Sequence, residues 1–467
     1  MSVEHFDAQR KSRLASLLAT AVLIVLAAAS AVFVALIPKP EPVVFAEPDA
    51  VTSPTAEPSA QSGDAALIAL LMTEIIRTDS SFSEQTLVYC GREFGAEPLE
   101  AVLSAILDGS YAPELWYELT GHTLHVLNDL SSGAAASDPR IHNLGDNGKD
   151  TFTLGFTGDI NLDDTLPLFT HYLSSGGLSD CLSPELIRIM NDMDVMFVNN
   201  EFTFSNGGKA QANKPYTFRS KPENVGMLKE LGVDIVSTAN NHIYDFGLDA
   251  FNDTFQTLDG AGIAHVGAGA NLEEASAAVY YIINGRKIAY VAAGDTAAWL
   301  MTPAATDESP GILPVQTKDE TVAAIQAAKA QSDHVFVYPH WGPENTNWFS
   351  ETQRNLGRAF IDAGADAVIG AHPHVLQGME FYSGKLIAYS LGNFWFNVKT
   401  MNTGLLELSV DRQGMVTPVF YPCVQSGGKT QLKTDPAERE AIFKFVERIC
   451  PGGSIDIKDD GTIFSNN

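Results

Sequence analysis

Residues 151–425 carry two alternating hydrophobic patterns. Short apolar runs that end in polar residues alternate with segments in which apolar residues recur every three or four positions. The strand-like runs include TFTLGFTGD, DVMFVNNE, VDIVSTANNH, DHVFVYPHWG, ADAVIGAHPH and KLIAYSLGNFWF. The helix-like segments include SPELIRIMNDM, PENVGMLKELG, FNDTFQTLDGAG, ETVAAIQAAKAQ and QRNLGRAFIDAG. This alternation predicts an α/β domain, with sheets layered against helices.

Residues 64–145 have a different pattern, in which leucines and isoleucines recur at helical spacing. They predict a small helical segment, whose role the sequence leaves open. His122 and His125 are three apart and could form a ligand pair, but surface histidines on a small helical segment are the favoured explanation. A loop-rich stretch ends this segment near residue 145, and residues 426–467 follow the α/β domain as a C-terminal extension.

Residues 14–37 contain no charged side chain over 24 positions, enough to cross a hydrocarbon core of about 30 Å. Basic residues lie just before this run, within residues 1–13. The positive-inside rule therefore places residues 1–13 in the cytoplasm and the main domain outside, as a single-pass protein of the cell membrane. Residues 38–63 are rich in proline, alanine and serine, which predicts an extended stalk.

A cleavable signal peptide is the alternative for the N-terminus, because VFA at residues 44–46 resembles a cleavage site. The apolar run is longer than the roughly 7–15 residues of a signal sequence, and Ala46 lies far beyond it. These lengths favour an uncleaved anchor.

Composition narrows the function classes. With 29 basic and 57 acidic residues the formal net charge is −28, which argues against nucleic acid as a partner. The four cysteines have no CxxC spacing, and nothing in the sequence selects a pairing among them.

Polar side chains stand repeatedly where a predicted strand ends. In α/β folds ligands bind beyond the carboxyl ends of strands, so these side chains are expected to converge. They supply oxygen and nitrogen ligands without thiolate, a set that suits one or two ions of Mn²⁺, Fe or Zn²⁺. The candidate metal ligands are Asp159, Glu201, Asn241, His340, His372 and His374.

Simpler explanations exist for some of these residues. Asn240, Asn241 and Asp245 could cap a helix that begins near Phe246, and Asp159 could open a turn. In an extended chain, His372 and His374 would project to the same side of a strand end.

Familiar catalytic motifs are absent from the sequence, which has no GxSxG, HExxH or GxxxxGK[ST]. The stretch GAGANLEEA lacks the third glycine of a dinucleotide loop. It predicts a turn followed by a helix capped by Asn271, with Glu274 in its first turn.

An ordered set of motifs resembles the CapA family of capsule synthesis proteins, within the calcineurin-like metallophosphoesterase superfamily. The motifs are FTGDINL, NNEF, TANNHIYDFG, PHWGPE, GAHPHVLQGME and YSLGNFWF, across residues 151–425. The resemblance implies a layered β-sandwich flanked by helices and an association with poly-γ-glutamate.

The resemblance also implies residue roles. The first aspartate of the superfamily falls on Asp159, and its ligand asparagine falls on Asn241. His242 takes the place of the acid beside the metal, and we expect Asp245 to orient it. The isolated histidine ligand falls on His340, and the terminal pair on His372 and His374.

The sequence departs from the superfamily pattern at three positions. Asn161 stands where a ligand histidine is usual, and Ala371 separates Gly370 from His372. Glu201 is the candidate for the usual bridging aspartate. These departures bear on a second metal site and on phosphatase activity.

Two functions therefore follow as hypotheses. The first is a membrane-anchored, outward-facing, metal-dependent hydrolase of the phosphoesterase type, with His242 protonating the leaving group. The second is a non-catalytic component that binds or helps export an anionic capsule polymer or its precursor, with bound metal as the bridge. Other capsule synthesis subunits are possible partners of either.

Overall fold

The computed structural model describes residues 62–316 and 318–466, which divide into two compact units at residues 111 and 112. The first unit contains three helices, α1 (Ser62–Thr78), α2 (Glu84–Phe94) and α3 (Glu97–Asp108). The second unit contains the remaining helices and all the strands of the described part. The predicted anchor at 14–37 and most of the predicted stalk lie outside the described residues. Within the described ranges no helix is long and apolar enough to cross a membrane.

The helices of the second unit lie between and after its strands. They are α4 (Glu114–Thr120), α5 (Leu124–Ser132), α6 (Ala134–Ser137), α7 (Pro167–Ser174), α8 (Leu178–Cys181), α9 (Pro184–Asp192), α10 (Val225–Glu230), α11 (Gly247–Ala261), α12 (Leu272–Ser276), α13 (Lys318–Lys329), α14 (Glu351–Asp362) and α15 (Pro436–Ile449). Short 3₁₀ turns cover Pro222–Asn224, Ala298–Leu300 and Pro451–Gly453. Helices fill most of the predicted helical segment 64–145, with α4 to α6 in the second unit, but its last five residues form a strand, Ile141–Gly145.

Two large sheets dominate the second unit. One has the order β1-β9-β10-β12-β13-β15-β14, and the other β19-β18-β17-β2-β3-β6-β7 with β16 beside β2. The strands of the first sheet are β1 (Ile141–Gly145), β9 (Val279–Ile283), β10 (Arg286–Gly294), β12 (His334–His340), β13 (Ala367–Ile369), β14 (Met379–Tyr382) and β15 (Lys385–Ala388). Those of the second are β2 (Thr151–Ile160), β3 (Val195–Asn200), β6 (Ile235–Ser237), β7 (Ala264–Val266), β16 (Asn393–Trp395), β17 (Met401–Asp411), β18 (Val416–Ser426) and β19 (Lys429–Leu432).

The remaining strands are short and form two-stranded pairs. They are β4 (Thr203–Phe204) with β5 (Arg219–Ser220), β8 (Ala268–Gly269) with β11 (Gly311–Ile312), and β20 (Ile455–Ile457) with β21 (Ile463–Ser465).

The two sheets pack face to face, and helices cover their outer faces. Side chains alternate across each strand, so Phe197 of β3 joins the core between the sheets, whereas Met196 and Val198 join the core under the flanking helices. A third core lies between the other sheet and α13 and α14. Helices therefore flank both sheets, and the predicted α/β architecture is confirmed at this level.

Parallel pairing explains where the polar strand ends meet. Strands β2, β3 and β6 run parallel in one sheet, and β12 and β13 run parallel in the other. The hydroxyl of Tyr338 donates to the carbonyl of Thr157 at 2.7 Å, which ties the two sheets together near these ends. The carboxyl ends of five strands therefore meet at one edge of the sandwich.

Local sequence signals set several helix starts. Asn271 caps α12 by accepting from the backbone N–H of Glu274 at 2.9 Å, as predicted. Ser350 and Gln353 form a reciprocal capping box at the start of α14. These contacts hold the helices that follow strand-end loops.

Gly158 permits a close approach beside Asp159. A Cβ at Gly158 would lie 1.8 Å from the carbonyl oxygen of Gly392. The next residue donates its backbone N–H to that same oxygen at 2.9 Å. Only glycine therefore allows β2 to approach the chain around Gly392 while it presents Asp159.

We expect Gly158→Ala to destabilise the protein by about 2–4 kcal/mol, because the clash is with rigid backbone. The matched control is Gly226→Ala on α10, where an added Cβ meets nothing within 4 Å. That helical change should be neutral or stabilising by up to about 1 kcal/mol. Urea unfolding followed by circular dichroism measures both. Equal midpoints for the two variants would contradict the proposed packing constraint.

Candidate metal centre

The predicted ligands meet at the shared edge of the two sheets. Asp159 is the second-last residue of β2, Glu201 follows β3, and His340 ends β12. Asn241 follows β6, and His372 and His374 follow β13. Two sets of these side chains bring ligand atoms within 4.8 Å of one another: Glu201, His340 and His372, and then Asp159, Glu201 and His374. The described residues thus contain two adjoining candidate metal positions.

Glu201 belongs to both positions and is fully buried. Its Oε1 lies 3.7 Å from His340 Nε2 and 3.9 Å from His374 Nε2. Its Oε1 has no hydrogen-bond partner among the described residues. Glu201 could therefore contribute a ligand atom to either candidate position.

Asn241 joins the first position through its amide oxygen. Asn241 Oδ1 lies 2.7 Å from His340 Nε2, which in turn lies 3.0 Å from His372 Nδ1. The Asn241 backbone carbonyl accepts from Thr302 Oγ1 at 2.6 Å and from the ammonium group of Lys214. These contacts fix the direction of the amide.

The residues present fit a divalent cation. A metal with bonds of about 2.0–2.2 Å holds its ligand atoms about 3–4 Å apart. The distances given above for these atoms run from 2.7 to 3.9 Å. His372 Nε2, Asp159 Oδ2 and Glu201 Oε1 are buried and lack hydrogen-bond partners among the described residues. Buried polar groups without partners are rare in native proteins, and a cation would satisfy all three. Their oxygen and nitrogen chemistry suits Mn²⁺, Fe or Zn²⁺.

Burial and mutual repulsion shift the proton affinities of this cluster. Burial, with the nearby Asp159 carboxylate, raises the pKa of Glu201 well above its usual range. Burial and the neighbouring imidazoles lower the pKa of His340 far below its usual range and that of His372 to about 3. A bound cation would favour the ionised carboxylate and keep the imidazoles neutral.

His374 behaves differently because it faces Asp159. Burial acts to lower its pKa, but hydrogen bonding and charge from Asp159 outweigh burial, so the pKa of His374 is raised. Its Nδ1 lies 3.3 Å from Asp159 Oδ2 and 2.9 Å from Asn393 Oδ1. In the metal-free protein His374 is therefore the imidazole that most readily holds a proton.

The expectation of an extended GAHPH segment is wrong. His372 has φ 96° and His374 has φ 60°, so both occupy left-handed backbone that non-glycine residues seldom adopt. The two rings nevertheless lie 5.9 Å apart, centroid to centroid. Gly370 allows this bend, because a Cβ there would lie 2.1 Å from the Tyr389 carbonyl oxygen. Backbone strain of this kind, at two residues whose side chains lie close together, is typical of functional sites.

His242 and Asp245 form a buried pair beside the candidate metal positions. His242 Nδ1 lies 2.7 Å from Asp245 Oδ2, and its Nε2 points to within 3.9 Å of Glu201 Oε1. Lys214 Nζ lies 2.5 Å from Asp245 Oδ1, and the ring of Phe218 packs 4.4 Å from the imidazole. Burial lowers the pKa of His242 although Asp245 opposes this.

The helix-capping alternative does not describe these residues. Helix α11 begins at Gly247 with Phe246 as its N-cap and no side-chain cap. Asp245 instead accepts from the backbone N–H of Phe218 at 2.7 Å. The Asp245 carboxylate therefore contacts His242 and the backbone of Phe218 rather than the start of α11.

Several residues of the site escaped the sequence reasoning. Asn199 Nδ2 donates to Asp159 Oδ1 at 2.8 Å, and Asn240 Nδ2 donates to Asn199 Oδ1 at 3.1 Å. Lys214 contacts Asp245, and Asn393 contacts His374. A sequence signal for the asparagines did exist. They occur in the motifs NNEF, TANNH and GNF, and buried amides at strand ends need hydrogen-bond partners.

Asn161, which replaces a usual histidine, is fully buried. Its Oδ1 accepts from the backbone N–H of Asp163 at 2.9 Å, and its Nδ2 is buried without a hydrogen-bond partner among the described residues. His122 and His125 stand outside both groups of candidate metal ligands in the described residues. The second candidate position thus has fewer imidazoles than the first.

This fold and site define a class, an α/β sandwich with a candidate divalent-metal centre at the carboxyl ends of its parallel strands. The family described as "Bacterial capsule synthesis protein PGA_cap" matches residues 153–398, more than half of the chain. The chain belongs to this family, as the sequence motifs predicted.

Two curated relatives agree with this assignment. The "PGA biosynthesis protein CapA" of Bacillus subtilis is 32% identical over 317 residues, which cover 66% of this chain and 80% of that protein. The "Capsule biosynthesis protein CapA" of Bacillus anthracis is 32% identical over 257 residues, which cover 54% of this chain and 62% of that protein. The chain therefore spans less than two thirds of the second relative's length.

Solved structures give weaker similarities. The NAD nucleotidase of Haemophilus influenzae has a TM-score of 0.37 at 11% identity, covering 61% of this chain and 58% of that one. The 5'-nucleotidase of Candida albicans has a TM-score of 0.31 at 11% identity, covering 58% and 52%.

His374→Ala should lower the metal content of the purified protein sharply and leave the fold intact, because the side chain ligates rather than packs the apolar core. The control is His265→Ala, which removes a partly buried histidine paired with Asp259 at 3.2 Å, away from the site. Elemental analysis of protein prepared without chelator measures the metal. Wild-type metal content in His374→Ala, or none in the wild type, would contradict the assignment.

Metal affinity should fall as the pH falls. Binding requires neutral imidazoles and an ionised Glu201, whereas the metal-free protein has raised pKa values at His374 and Glu201. Affinity should therefore be constant above these pKa values and drop by about tenfold or more per pH unit below them. Competition with a chromogenic chelator between pH 5 and about 8 measures it. An affinity that rises on acidification would refute this linkage.

Proposed function

We propose that this protein is a membrane-anchored capsule synthesis protein whose metal centre hydrolyses a phosphoester-type bond in an anionic capsule polymer or its precursor. The observation that carries the proposal is the arrangement of Glu201, His340, His372 and His374 beside the His242–Asp245 pair. Family membership supplies the polymer context, and the names of two relatives associate those proteins with capsule or PGA biosynthesis.

His242 is proposed as the general acid. Its contact with Asp245 keeps Nδ1 engaged, so Nε2 is the atom that faces the reacting group. To donate from Nε2 the ring must hold a second proton, which Asp245 favours and burial opposes. Lys214 holds Asp245 on its other oxygen. Asp245 and Lys214 thus position the acid rather than contact the substrate.

The metal ligands would hold one or two divalent cations. When bound, such a cation supplies Lewis acidity that polarises the scissile centre and makes hydroxide available near neutral pH. Buried Asn199 and Asn240 orient Asp159 through a chain of amide hydrogen bonds. The exposed side chains of Tyr216 and Trp348 offer apolar contacts near the same loops.

A non-catalytic function is the second candidate. Asn161 in place of a ligand histidine favours it, because fewer imidazoles make a weaker second metal position. An acidic chain of net charge −28 would repel an anionic polymer, so bound cations would serve as the bridge.

His242→Gln separates the two candidates. If the protein is a hydrolase, this change should lower the turnover of a phosphodiester substrate at least 100-fold without loss of metal, because it removes only the proton donor. His265→Gln serves as the control and should keep wild-type turnover. Full capsule production with intact metal content in His242→Gln cells would instead support binding without hydrolysis.

The proposed location is the cell membrane, with the N-terminus inside and the main domain outside. The uncharged run at residues 14–37 and the basic residues before it support this orientation. Extraction of the full-length protein should require detergent, and protease added to protoplasts should cleave the stalk. Release of a mature form that begins near Glu47 would overturn the anchor.

A further inference from the structure

A second cavity lies at the opposite end of the sheet from the metal centre. Arg286 begins β10 and His334 begins β12, whereas His340 ends β12 at the metal centre. Both residues line a cavity of about 560 Å³ together with Tyr117, Lys329 and Asp333. This volume lies within the range of small-ligand sites.

Arg286 is a buried cation, with 7% of its surface exposed. Its Nη2 donates to the carbonyl of Arg412 at 2.5 Å, and its guanidinium lies 4.2 Å from the centre of the Tyr117 ring. Nε has no hydrogen-bond partner in the described part of the chain, where Arg286 also forms no ion pair with a carboxylate. The adjacent Lys287, by contrast, pairs with Asp129 at 2.6 Å. Buried charges are ordinarily paired, so Arg286 lacks its counterion.

His334 is equally buried, at 7% exposure, and neither ring nitrogen has a hydrogen-bond partner among the described residues. Its nearest carboxylate oxygen, on Asp366, is 3.9 Å from Nδ1. That carboxylate already contacts Lys329 at 3.1 Å and Lys385 at 3.0 Å.

Arg286 and His334 face the same small space. A Cβ built on Gly414 would lie 3.3 Å from Arg286 Nη1 and 3.4 Å from His334 Nε2. Arg286 Nη1 and His334 Nε2 therefore lie on the same side of Gly414, close enough for the oxygens of one oxyanion to reach both.

We propose that this cavity binds a small oxyanion, a carboxylate or phosphate group, between Arg286 and His334. Arginine presents paired N–H donors that match these oxyanions, and an imidazole N–H adds a further donor. Lys329 lies on the cavity wall and contributes a second positive charge. The site is separate from the metal centre and needs no metal.

The two carboxylates that also line the cavity do not neutralise Arg286. Asp333 Oδ2 accepts from Thr123 Oγ1 and from the backbone N–H of Lys287, both at 2.7 Å. Glu114 is exposed and forms no ion pair with Arg286 within the described residues. A cation is a poor occupant, because Arg286 and Lys329 would repel it.

The test is isothermal titration of the purified metal-loaded protein with sodium phosphate and, separately, with glutarate at constant ionic strength set by chloride. We expect saturable binding of at least one, and the comparison shows whether the site prefers a phosphate or a carboxylate. The proposal would be overturned if neither anion showed saturable binding at concentrations up to about 10 mM.

Variants place the binding. Arg286→Gln should weaken oxyanion binding at least tenfold. His334→Gln should weaken it severalfold, and this change buries no new charge. His334→Gln decides the matter if Arg286→Gln does not fold, as judged by circular dichroism. Arg188→Gln, which removes an exposed arginine paired with Asp192, and His265→Gln are the matched controls and should bind as the wild type.

Binding at the metal centre is distinguished by a further variant. His374→Ala should retain oxyanion binding if the cavity is the site. Loss of binding in His374→Ala with retention in Arg286→Gln and His334→Gln would overturn the proposal and place the anion at the metal centre. The outcome is independent of whether the protein proves to be a hydrolase.

Discussion

The site depends on one physical constraint, the burial of the Glu201 carboxylate between another carboxylate and three imidazoles. A group in this position is costly to ionise in a protein interior, as its raised pKa indicates. A divalent cation held here would offset that cost, because it would attract both carboxylates and accept the imidazole lone pairs. The surrounding fold brings this cluster together, because the parallel strands of the two sheets end at a common edge.

The strained backbone at His372 and His374 follows from the same requirement. Extended chain would continue away from the edge of the sheet, whereas two left-handed residues turn both rings back towards Glu201. The close contacts at Gly158 and Gly370 hold the chain in this turn, because neither position has room for a side chain. Strain of this kind persists only where neighbouring contacts determine the backbone.

The two ends of the β12 strand carry opposite kinds of buried charge. At its carboxyl end, acidic and neutral ligands gather around a candidate cation. At its amino end, His334 and the neighbouring Arg286 of β10 leave three buried nitrogen atoms without hydrogen-bond partners among the described residues. A protein with a large negative net charge would use such a basic cavity to hold an anion that its surface otherwise repels.

The sequence by itself determined the element types of the α/β domain and the position of most candidate ligands, because hydrophobic period and strand ends are local properties of the chain. It also predicted the family and the cap at Asn271. It did not predict β9, β10, β17 or β18, although β9 pairs with β10 and β17 pairs with β18 across short connections.

Only the tertiary structure decided which strand ends meet, and therefore that Glu201 adjoins both candidate metal positions. It also decided the roles of Asn199 and Lys214, whose partners are 40 and 31 residues distant in the chain. The bend at His372 was likewise outside sequence reasoning, since the local preference of the chain is extended and contacts from Tyr389 and Gly392 override it. Contacts between distant residues select one arrangement among several that the local pattern allows.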